Sequence, residues 1–419
     1  MAIDALKRSG PLSGVKILDL TRAYAGPYAS MLLADLGATV IKVEQPTGDT
    51  TRTLGPYLDE DTKDYGLGGF NSSVNRNKLS IALDLKKPEA QQIAHRLVKE
   101  CDAMIFNFSS PKIMEKFDLT YETVSAINPK LVYLSISGYG TNRIVKSEFE
   151  GKPTIDLMMQ AESGTLSITG SPDGKMYKVG PGIGDSYTGT LAIVAMLAAI
   201  LHARETGEGQ FIDIAMLDSM MLLTERILYQ YSYTGVSPGP IGNRHPLQSP
   251  YSLYPTKDGF IVLAAHPDRY WTRFCEASGI EEFNNGDTRF ISKEARLANQ
   301  EALDSLISAW TSMRTKAEVM EILDRHGCLA SPVNIAEDLF KSKHVQEREM
   351  LVEVEGNPAT HEKIKIAGTP FKLEKTPAAI VSRAPLIGEN SVEILSQLGY
   401  AQEEIAALIE AGTVVSTTI

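Results

Sequence analysis

Residues 15–44 read VKILDLTRAYAGPYASMLLADLGATVIKVE, and this stretch decides the fold. The apolar runs VKILDL (15–20) and TVIKVE (39–44) have the β-branched composition of buried strands, and the segment SMLLADLG between them has helical spacing of its apolar residues. A strand, a helix and a second strand within about 30 residues form a βαβ unit, which pairs its two strands in parallel. The stretch therefore predicts a parallel α/β sheet.

The same alternation continues through the first third of the chain. Strands are predicted at LSIAL (79–83), AMIFN (103–107) and LVYLSIS (131–137), and apolar residues at helical spacing behind Pro88 predict a crossover helix between the first two. A glycine-rich segment then leads into an apolar helix at about 187–205 and a further strand, QFIDIAM. We therefore expect a large Rossmann-like α/β layer in which helices cover a parallel sheet.

The composition changes in the second half of the chain. Residues 233–251 are dense in Gly, Pro and Ser, and SLYPTKDGFIVLAA (252–265) predicts a hairpin around its Lys-Asp-Gly turn. Helical patterns follow up to about residue 330, so we predict a small α+β second domain, as a chain of 419 residues requires. The later runs MLVEVE and KIKIAG resume a mixed pattern that is compatible with a return to the first domain.

Charge, cysteine content and the N-terminal residues limit the class of protein. A formal charge of -11 and the lack of a Lys/Arg run argue against a nucleic-acid partner. The three cysteines are widely spaced and favour a reducing cytoplasm. The opening residues lack the apolar core of a signal peptide, and the apolar stretch 191–201 is shorter than the ~20 residues that span a bilayer. We expect a globular cytoplasmic protein that binds neither nucleic acid nor a membrane.

Several common catalytic motifs do not occur in the sequence. The turn TRAYAGPYAS (21–30) has one glycine, followed by proline, where a dinucleotide site needs several, and no Walker-type loop occurs elsewhere. There is no Gly-x-Ser-x-Gly, and the seven histidines form no metal-binding i, i+4 pair with a nearby carboxylate. We therefore expect no metal and no permanently bound cofactor. Among the histidines, His245 in the GNRHP loop (242–246) is a site candidate.

Asp185 in GIGDSYTG (182–189) is the acid that stands out, because three glycines surround it at the entrance to the long helix. An Asp at that place is usually an N-cap. The alternative is a nucleophilic carboxylate, whose pKa the helix N-terminus would lower and which the glycines would leave open to a substrate. Spacing alone leaves both interpretations open, and the second requires an activated acyl group such as a thioester.

Five blocks of sequence, in order, resemble the family III coenzyme A transferases. They are residues 12–52, NRNKLSIALDLKKPEA (75–90), TIDLMMQAESG (154–164), GDSYTG (184–189) and RAPLIGEN (383–390). The resemblance implies an interlocked homodimer in which each chain has a discontinuous large domain and a small domain. Its implied bounds are 1–222 and 346–419 for the large CoA-binding α/β domain, 240–330 for the small α+β domain, and 223–239 and 331–345 for linkers.

The resemblance also implies a reaction. Asp185 would attack an acyl-CoA thioester to give an aspartyl-acyl anhydride, and the CoA thiolate would return to give an aspartyl-CoA thioester, before both steps reverse with the acceptor acid. Asp156 would support the nucleophile, with helix capping as its structural alternative. The GNRHP loop, with Gly242, Asn243, Arg244 and His245, is the candidate for stabilising the oxyanions.

Contacts to CoA are carried over position by position from the same resemblance. They fall on residues in turns and at strand ends: Tyr24, Ala25, Asn77, Lys78, Asn107, Phe108 and Lys116. Lys78 would meet a phosphate as a point charge. The chain departs from the family pattern at Gln45 and Ser109, where arginines are common, so the CoA contacts there are expected to be rearranged.

Two other functions compete with CoA transfer. An α-methylacyl-CoA racemase or epimerase would need a histidine before Asp156, where Ile155 stands, so the second acid/base is missing. A non-catalytic CoA-binding protein would not need Asp185 at all. Within the transferases, the N-terminal block resembles enzymes of dicarboxylates such as succinate, so we expect a donor such as succinyl-CoA and a dicarboxylic acceptor. Arg22 and Arg244 could hold its distal carboxylate or form structural ion pairs.

Overall fold

A computed structural model describes residues 9–417 of the chain. The first eight residues, on which the argument about a signal peptide partly rests, lie outside the described residues, as do the last two. The strands are β1 (Lys16–Asp19), β2 (Thr39–Glu44), β3 (Leu79–Leu83), β4 (Ala103–Phe106), β5 (Val132–Ser137), β6 (Phe211–Ala215), β7 (Tyr251–Thr256), β8 (Gly259–Ala264), β9 (Ala330–Pro332), β10 (Leu351–Glu355), β11 (Lys363–Ala367) and β12 (Val414–Val415).

Helices connect these strands. In the first half of the chain they are α1 (Ala25–Asp35), α2 (Glu60–Asp64), α3 (Gly69–Asn75), α4 (Pro88–Glu100), α5 (Lys112–Lys116), α6 (Tyr121–Ile127), α7 (Asp156–Glu162), α8 (Thr165–Ile168), α9 (Ile183–Thr206) and α10 (Met216–Leu223). In the second half they are α11 (Glu225–Thr234), α12 (Asp268–Ser278), α13 (Glu281–Asn284), α14 (Lys293–Ala298), α15 (Gln300–Ser312), α16 (Lys316–Arg325), α17 (Ala336–Lys341), α18 (Lys343–Glu347), α19 (Ser391–Gln397) and α20 (Gln402–Glu410).

The described chain separates into two compact units. The large unit contains the residues up to Thr165, then Lys178–Ser232, then the residues from His344 onward. The small unit contains Leu166–Tyr177 and Tyr233–Lys343. The sequence did not set Leu166–Tyr177 apart, and the segments expected to be linkers carry helices α11, α17 and α18.

The large unit is built on a seven-stranded sheet with the order β12-β3-β2-β1-β4-β5-β6. Strands β1 to β6 pair in parallel, and only the terminal β12 runs antiparallel to its neighbour β3. The predicted mixed α/β architecture with a large parallel sheet is confirmed. The order 3-2-1-4-5-6 is that of a doubly wound dinucleotide-binding fold, and the connection changes direction between β1 and β4, where such sheets bind ligands.

Helices cover both faces of this sheet, because successive strand residues point in opposite directions. On β1, Leu18 belongs to a core that also contains Leu97 of α4 and Ile394 of α19. Its neighbour Ile17 belongs to the opposite core, which contains Met196 of α9. Strands buried on both faces explain the nearly continuous apolar runs that the sequence shows at β1 to β5.

Helix α9 is longer than the sequence predicted. It spans 24 residues, ends at Gly207 in the left-handed conformation (φ 82°), and is by length and composition apolar enough to cross a membrane. The prediction that this stretch is too short to span a bilayer is therefore wrong, because the helix is longer than the ~20 residues required. The helix packs on α1, α7 and α10 and contributes Ala192, Met196 and Ile200 to the core, whereas Val194 and Leu201 are exposed in the single chain.

The small unit is organised around an antiparallel sheet with the order β7-β8-β9. The β7–β8 hairpin forms at the Lys-Asp-Gly turn, as predicted. Helices α12, α15 and α16 bury its core, which is centred on Phe274, Leu303 and Val319. Strands β10 and β11 form a separate antiparallel pair, and they belong to the large unit.

Candidate active site

Asp185 lies in the first turn of α9, three residues after the N-cap residue Gly182. Its side chain does not cap the helix, which has no side-chain cap hydrogen bond. Gly189, one turn further on, lets α9 approach α1 closely, since a Cβ atom there would lie 2.7 Å from the carbonyl oxygen of Ala25. This close crossing brings the Asp185 carboxyl group to the N-terminus of α1, where the backbone of Ala25 forms a hydrogen bond with it.

The environment of Asp185 raises its pKa to about 7 from an ordinary value of 3.8. Burial is the main cause, the nearby charge of Asp156 adds to it, and the hydrogen bond from Ala25 opposes both. The expectation that the helix N-terminus lowers this pKa is therefore corrected: removal from water outweighs the helix end. A carboxylate with a raised pKa is more basic and hence a better nucleophile than an ordinary one.

Asp156, the first residue of α7, is held close to Asp185. The backbone N–H of Gly184 donates to Asp156 Oδ1 at 2.7 Å, and Gln160 Nε2 donates to Asp156 Oδ2 at 2.7 Å. The carboxylate thus satisfies a backbone donor in the first turn of α9 and lies beside the acid of that same turn. The preceding residue, Ile155, is a 62% exposed aliphatic side chain that can neither donate nor accept a proton.

Tyr24 and Ala25 lie where β1 has ended and α1 begins. Ala25 is buried against α9, as described above, and Tyr24 is partly buried. The Tyr24 ring stacks on Tyr28 at a centroid distance of 5.7 Å and leans on Phe70 at 5.6 Å. Ala25 is therefore placed beside the nucleophile, whereas the ring of Tyr24 takes part in local aromatic packing.

A cavity of about 520 Å³ opens at the carboxyl ends of β1, β2 and β3. Its lining includes Phe108, which follows β4, so the cavity reaches the point between β1 and β4 where the sheet order reverses, the usual ligand site of an open α/β sheet. Its lining combines apolar and basic side chains, including Leu20, Arg22, Leu85, Lys86, Phe108 and Lys116. The Phe108 ring packs edge to face against Phe117. The Arg22 guanidinium lies over the Phe108 ring, 5.1 Å from the ring centroid.

Three cations line this cavity. Arg22, Lys86 and Lys116 have no carboxylate partner within residues 9–417. The Arg22 guanidinium lies over the Phe108 ring and makes a long contact, 3.5 Å, to Gln45 Oε1. The lining also contains Asp84 and Glu44, and Glu44 is neutralised by its ion pair with Arg52. Cations without a carboxylate partner beside apolar side chains suit a ligand that carries phosphates. The sequence reasoning missed Lys86. The sequence could have indicated Lys86, because it follows the strand β3 by three residues and so lies at the same sheet edge.

Asn107 has a structural task at this edge. Its Oδ1 accepts a hydrogen bond from Arg22 N at 2.8 Å, and its Nδ2 donates to Arg22 O at 2.7 Å. The side chain thereby ties the end of β4 to the end of β1. Its neighbour Phe108 is the member of the predicted pair that presents a surface to the cavity.

The predicted phosphate contact of Lys78 is corrected by its burial. Its ammonium group is fully buried and donates to Asp19 Oδ2 at 3.1 Å, Pro27 O at 3.0 Å and Asn75 Oδ1 at 2.8 Å. All three donors of a lysine are used. Burial lowers the Lys78 pKa to about 8, against the opposing attraction of Asp19. Lys78 therefore holds the core together and does not reach a ligand.

Asn77 is corrected for the same reason. Its Nδ2 donates to Asp35 Oδ1 and Ala379 O, both at 2.8 Å, and its Oδ1 accepts from the backbone N–H groups of Val381 and Ser382. This buried amide, which has φ 61°, connects the turn before β3 to the C-terminal segment of the large unit. It has no hydrogen-bonding capacity left for CoA.

The GNRHP loop lies in the small unit. Gly242 has φ 68°, a left-handed conformation that favours glycine, and its N–H donates to Gly170 O at 2.8 Å. Arg244 Nε donates to Asp304 Oδ2 at 2.8 Å, so the ion-pair alternative for Arg244 is the one observed. His245 accepts from Leu247 N through Nδ1 and lies against Tyr251, with 5.1 Å between ring centroids. Asn243 is exposed.

Comparison with known proteins shows the relationship of the chain. The family model of CoA-transferase family III matches residues 12–391. The succinyl-CoA:mesaconate CoA-transferase of Haloarcula hispanica is 42% identical over 391 residues, which cover 93% of this chain and 97% of that protein. The succinate–glutarate CoA-transferase of Agrobacterium fabrum is 36% identical over 397 residues, covering 94% and 97%.

A solved structure agrees with these relatives. A CAIB/BAIF family protein from Brucella suis superimposes with a TM-score of 0.84 and 32% identity, over 93% of this chain and 100% of that one. The match extends through both units, and the named relatives are CoA-transferases, as the resemblance had implied. The chain belongs to CoA-transferase family III.

Proposed function

We propose that the protein transfers CoA from succinyl-CoA to a dicarboxylic acid, with Asp185 as the covalent nucleophile. The observation that carries this proposal is the partly buried Asp185 carboxyl group, held at the N-terminus of α9 beside Asp156, with a pKa near 7. Relatives named for the mesaconate and glutarate reactions support both the donor and the dicarboxylate class.

The reaction begins when an Asp185 carboxylate oxygen forms a bond to the thioester carbonyl carbon. The C–S bond breaks, the sulfur leaves as thiolate with the bonding electron pair, and a mixed anhydride remains. The thiolate then attacks the Asp185 carbonyl carbon, which releases the donor carboxylate and leaves an aspartyl-CoA thioester. The acceptor carboxylate reverses both steps, so acyl activation is conserved and neither a redox partner nor an external base is required.

CoA is proposed to occupy the cavity at the carboxyl ends of β1 to β3. Arg22, Lys86 and Lys116 supply the positive charge for its phosphates, and Phe108 supplies an apolar surface for the nucleotide ring. The chain passes in three residues from Arg22, which lines the cavity, to Ala25, which contacts Asp185. Three residues of extended chain span at most about 10 Å, so the cavity and the nucleophile lie close to each other.

The oxyanions of the tetrahedral intermediates need donors that are already in place. The Gly184 N–H in the first turn of α9 is already bonded to Asp156, so backbone N–H groups of the GNRHP loop are proposed for this task. Arg244 is occupied by Asp304, so Arg22 is the better candidate to meet the distal carboxylate of the acid, in addition to its contact with the CoA cavity.

The protein is proposed to act as an interlocked homodimer in the cytoplasm. Large apolar side chains of α9, α10 and α11 are exposed in the single chain, among them Val194, Leu201, Leu222 and Tyr231. Surfaces of this kind usually belong to an interface. Light scattering coupled to gel filtration tests the assembly, and a monomer at micromolar concentration would contradict it.

One experiment tests the covalent mechanism directly. The protein is incubated with succinyl-CoA, treated with borohydride or hydroxylamine, and digested for peptide mass spectrometry. We expect the modification at Asp185 and none in Asp185→Asn, which keeps the shape of the side chain. A panel of acids, including mesaconate, glutarate, oxalate and acetate, then ranks the acceptors. Full transfer activity in Asp185→Asn would refute the proposal.

A further inference from the structure

Gln160 is a buried polar residue on α7 whose carboxamide has partners on both sides. Its Nε2 donates to Asp156 Oδ2 at 2.7 Å, and its Oε1 accepts from the backbone N–H of Val179 at 2.9 Å. The donor and the acceptor together fix the orientation of the amide group. Val179 precedes the Gly-Pro-Gly turn that leads into α9, so Gln160 connects Asp156 to the segment that delivers Asp185.

The Asp156 carboxylate accepts hydrogen bonds from two N–H donors. Gly184 N holds Oδ1 and Gln160 Nε2 holds Oδ2, and neither donor can act as an acceptor. Gly182 lies between the two carboxyl groups: a Cβ atom there would be 3.4 Å from Asp185 Oδ2 and 3.9 Å from Asp156 Oδ1. The geometry places one acid of fixed orientation beside the acid that reacts.

We propose that Gln160 is a positioning residue, which holds the Asp156 carboxylate where its charge promotes the attack of Asp185 on the thioester. The inference rests on the proposed function. Attack converts the anionic Asp185 carboxylate into a neutral acyl group, and the negative charge leaves with the thiolate sulfur. Repulsion between the two carboxylates is present before the attack and relieved in the transition state, so it lowers the barrier. This contribution requires Asp156 to stay in place.

Other titratable groups on the elements packed against α9 do not share this role. They are Glu162 on α7, Tyr28 and Asp35 on α1, Asp218 on α10, Tyr133 on β5 and Asp213 on β6. Glu162 pairs with Lys152 and Asp35 with Arg76. Asp156 is the charged neighbour that acts on Asp185.

Gln160→Met tests the inference, because it keeps the volume of the side chain and removes both hydrogen bonds. We expect kcat to fall about 10-fold and the KM for succinyl-CoA to stay unchanged. A fall of this size is typical when a hydrogen bond to a charged group is lost. The acid limb of the pH profile should move to lower pH, because Asp156 no longer sits firmly beside Asp185. Met159→Leu, an equally buried change on the same helix, is the control for altered packing and should leave the profile unmoved.

A double-mutant cycle with Asp156→Asn decides whether Gln160 acts through Asp156. If it does, Gln160→Met in the Asp156→Asn background should change kcat by no more than about twofold. An undiminished loss in that background would overturn the inference. If Gln160→Met does not fold, Gln160→Leu, which also removes both hydrogen bonds and adds no charge, takes its place in the same cycle. A wild-type protein that transfers no CoA would instead refute the proposed function.

Discussion

The pH dependence of the first half-reaction follows from the raised pKa of Asp185. Only the ionised carboxylate can attack the thioester, so kcat/KM for succinyl-CoA should follow its ionised fraction. With a pKa of about 7, that fraction is about 0.09 at pH 6 and about 0.91 at pH 8. The rate constant should therefore rise about tenfold over these two pH units and level off above them.

An ordinary aspartate would give a different profile. With the usual pKa of 3.8, the carboxylate would be fully ionised at both pH values and the rate constant would be flat. The assay measures initial rates of succinyl-CoA consumption between pH 5.5 and 8.5 at constant ionic strength, with the acceptor saturating. Asp156→Asn removes the charge that adds to the raised pKa, so the midpoint of its profile should lie at a lower pH than that of the wild type. A flat wild-type profile would refute the assignment of Asp185 as a buried nucleophile.

Three further substitutions separate structural from functional residues. Lys78→Met should cost about 3–5 kcal/mol of folding free energy, measured by urea unfolding, because it leaves Asp19 buried without its partner; a raised KM with normal stability would contradict this. Lys116→Met should raise the KM for acyl-CoA roughly 10-fold with an unchanged Tm, because a contact to a CoA phosphate is lost. A normal KM would show that Lys116 does not contact a CoA phosphate. Asp185→Asn should stabilise the fold at pH 8 by up to about 4 kcal/mol and change little near pH 4. The unfolded chain loses the Asp185 proton near pH 4, whereas the folded state holds it up to about pH 7, so the wild-type protein loses stability as the pH rises between these values. Asparagine does not ionise and avoids this loss. A variant less stable than the wild type at pH 8 would contradict this.

The strands of the large sheet could be predicted from the sequence because they are buried on both faces. Runs such as TVIKVE and LSIAL coincide with β2 and β3, residue for residue. The start of α9 was placed too late, at about residue 187, because Gly182, Gly184 and Asp185 are poor helix formers. They begin a helix here because tertiary packing on α1 and the hydrogen bond from Gly184 to Asp156 outweigh their propensity.

The candidate site was predicted in part. The surrounding glycines singled out Asp185, the resemblance supplied its role as nucleophile and added Asp156, and the structure brings the two acids together. The sequence could not show that Lys78 is internal, because NRNK has the composition of an exposed turn and its partner Asp19 lies 59 residues away. Gln160 was missed for a similar reason, since its significance depends on contacts with Asp156 and Val179 that only the folded chain makes.

The two-stranded edge formed by β12 and β3 has a consequence for the order of folding during synthesis. β12 supplies the last pairing of the large sheet, and Ser80 N donates to Asn390 Oδ1, a residue 310 positions later. The N-terminal strands therefore leave the ribosome long before the segment that covers their edge. Until then β3 is an open strand edge prone to misassociation. C-terminal truncations should accordingly yield aggregated protein at the stage of expression.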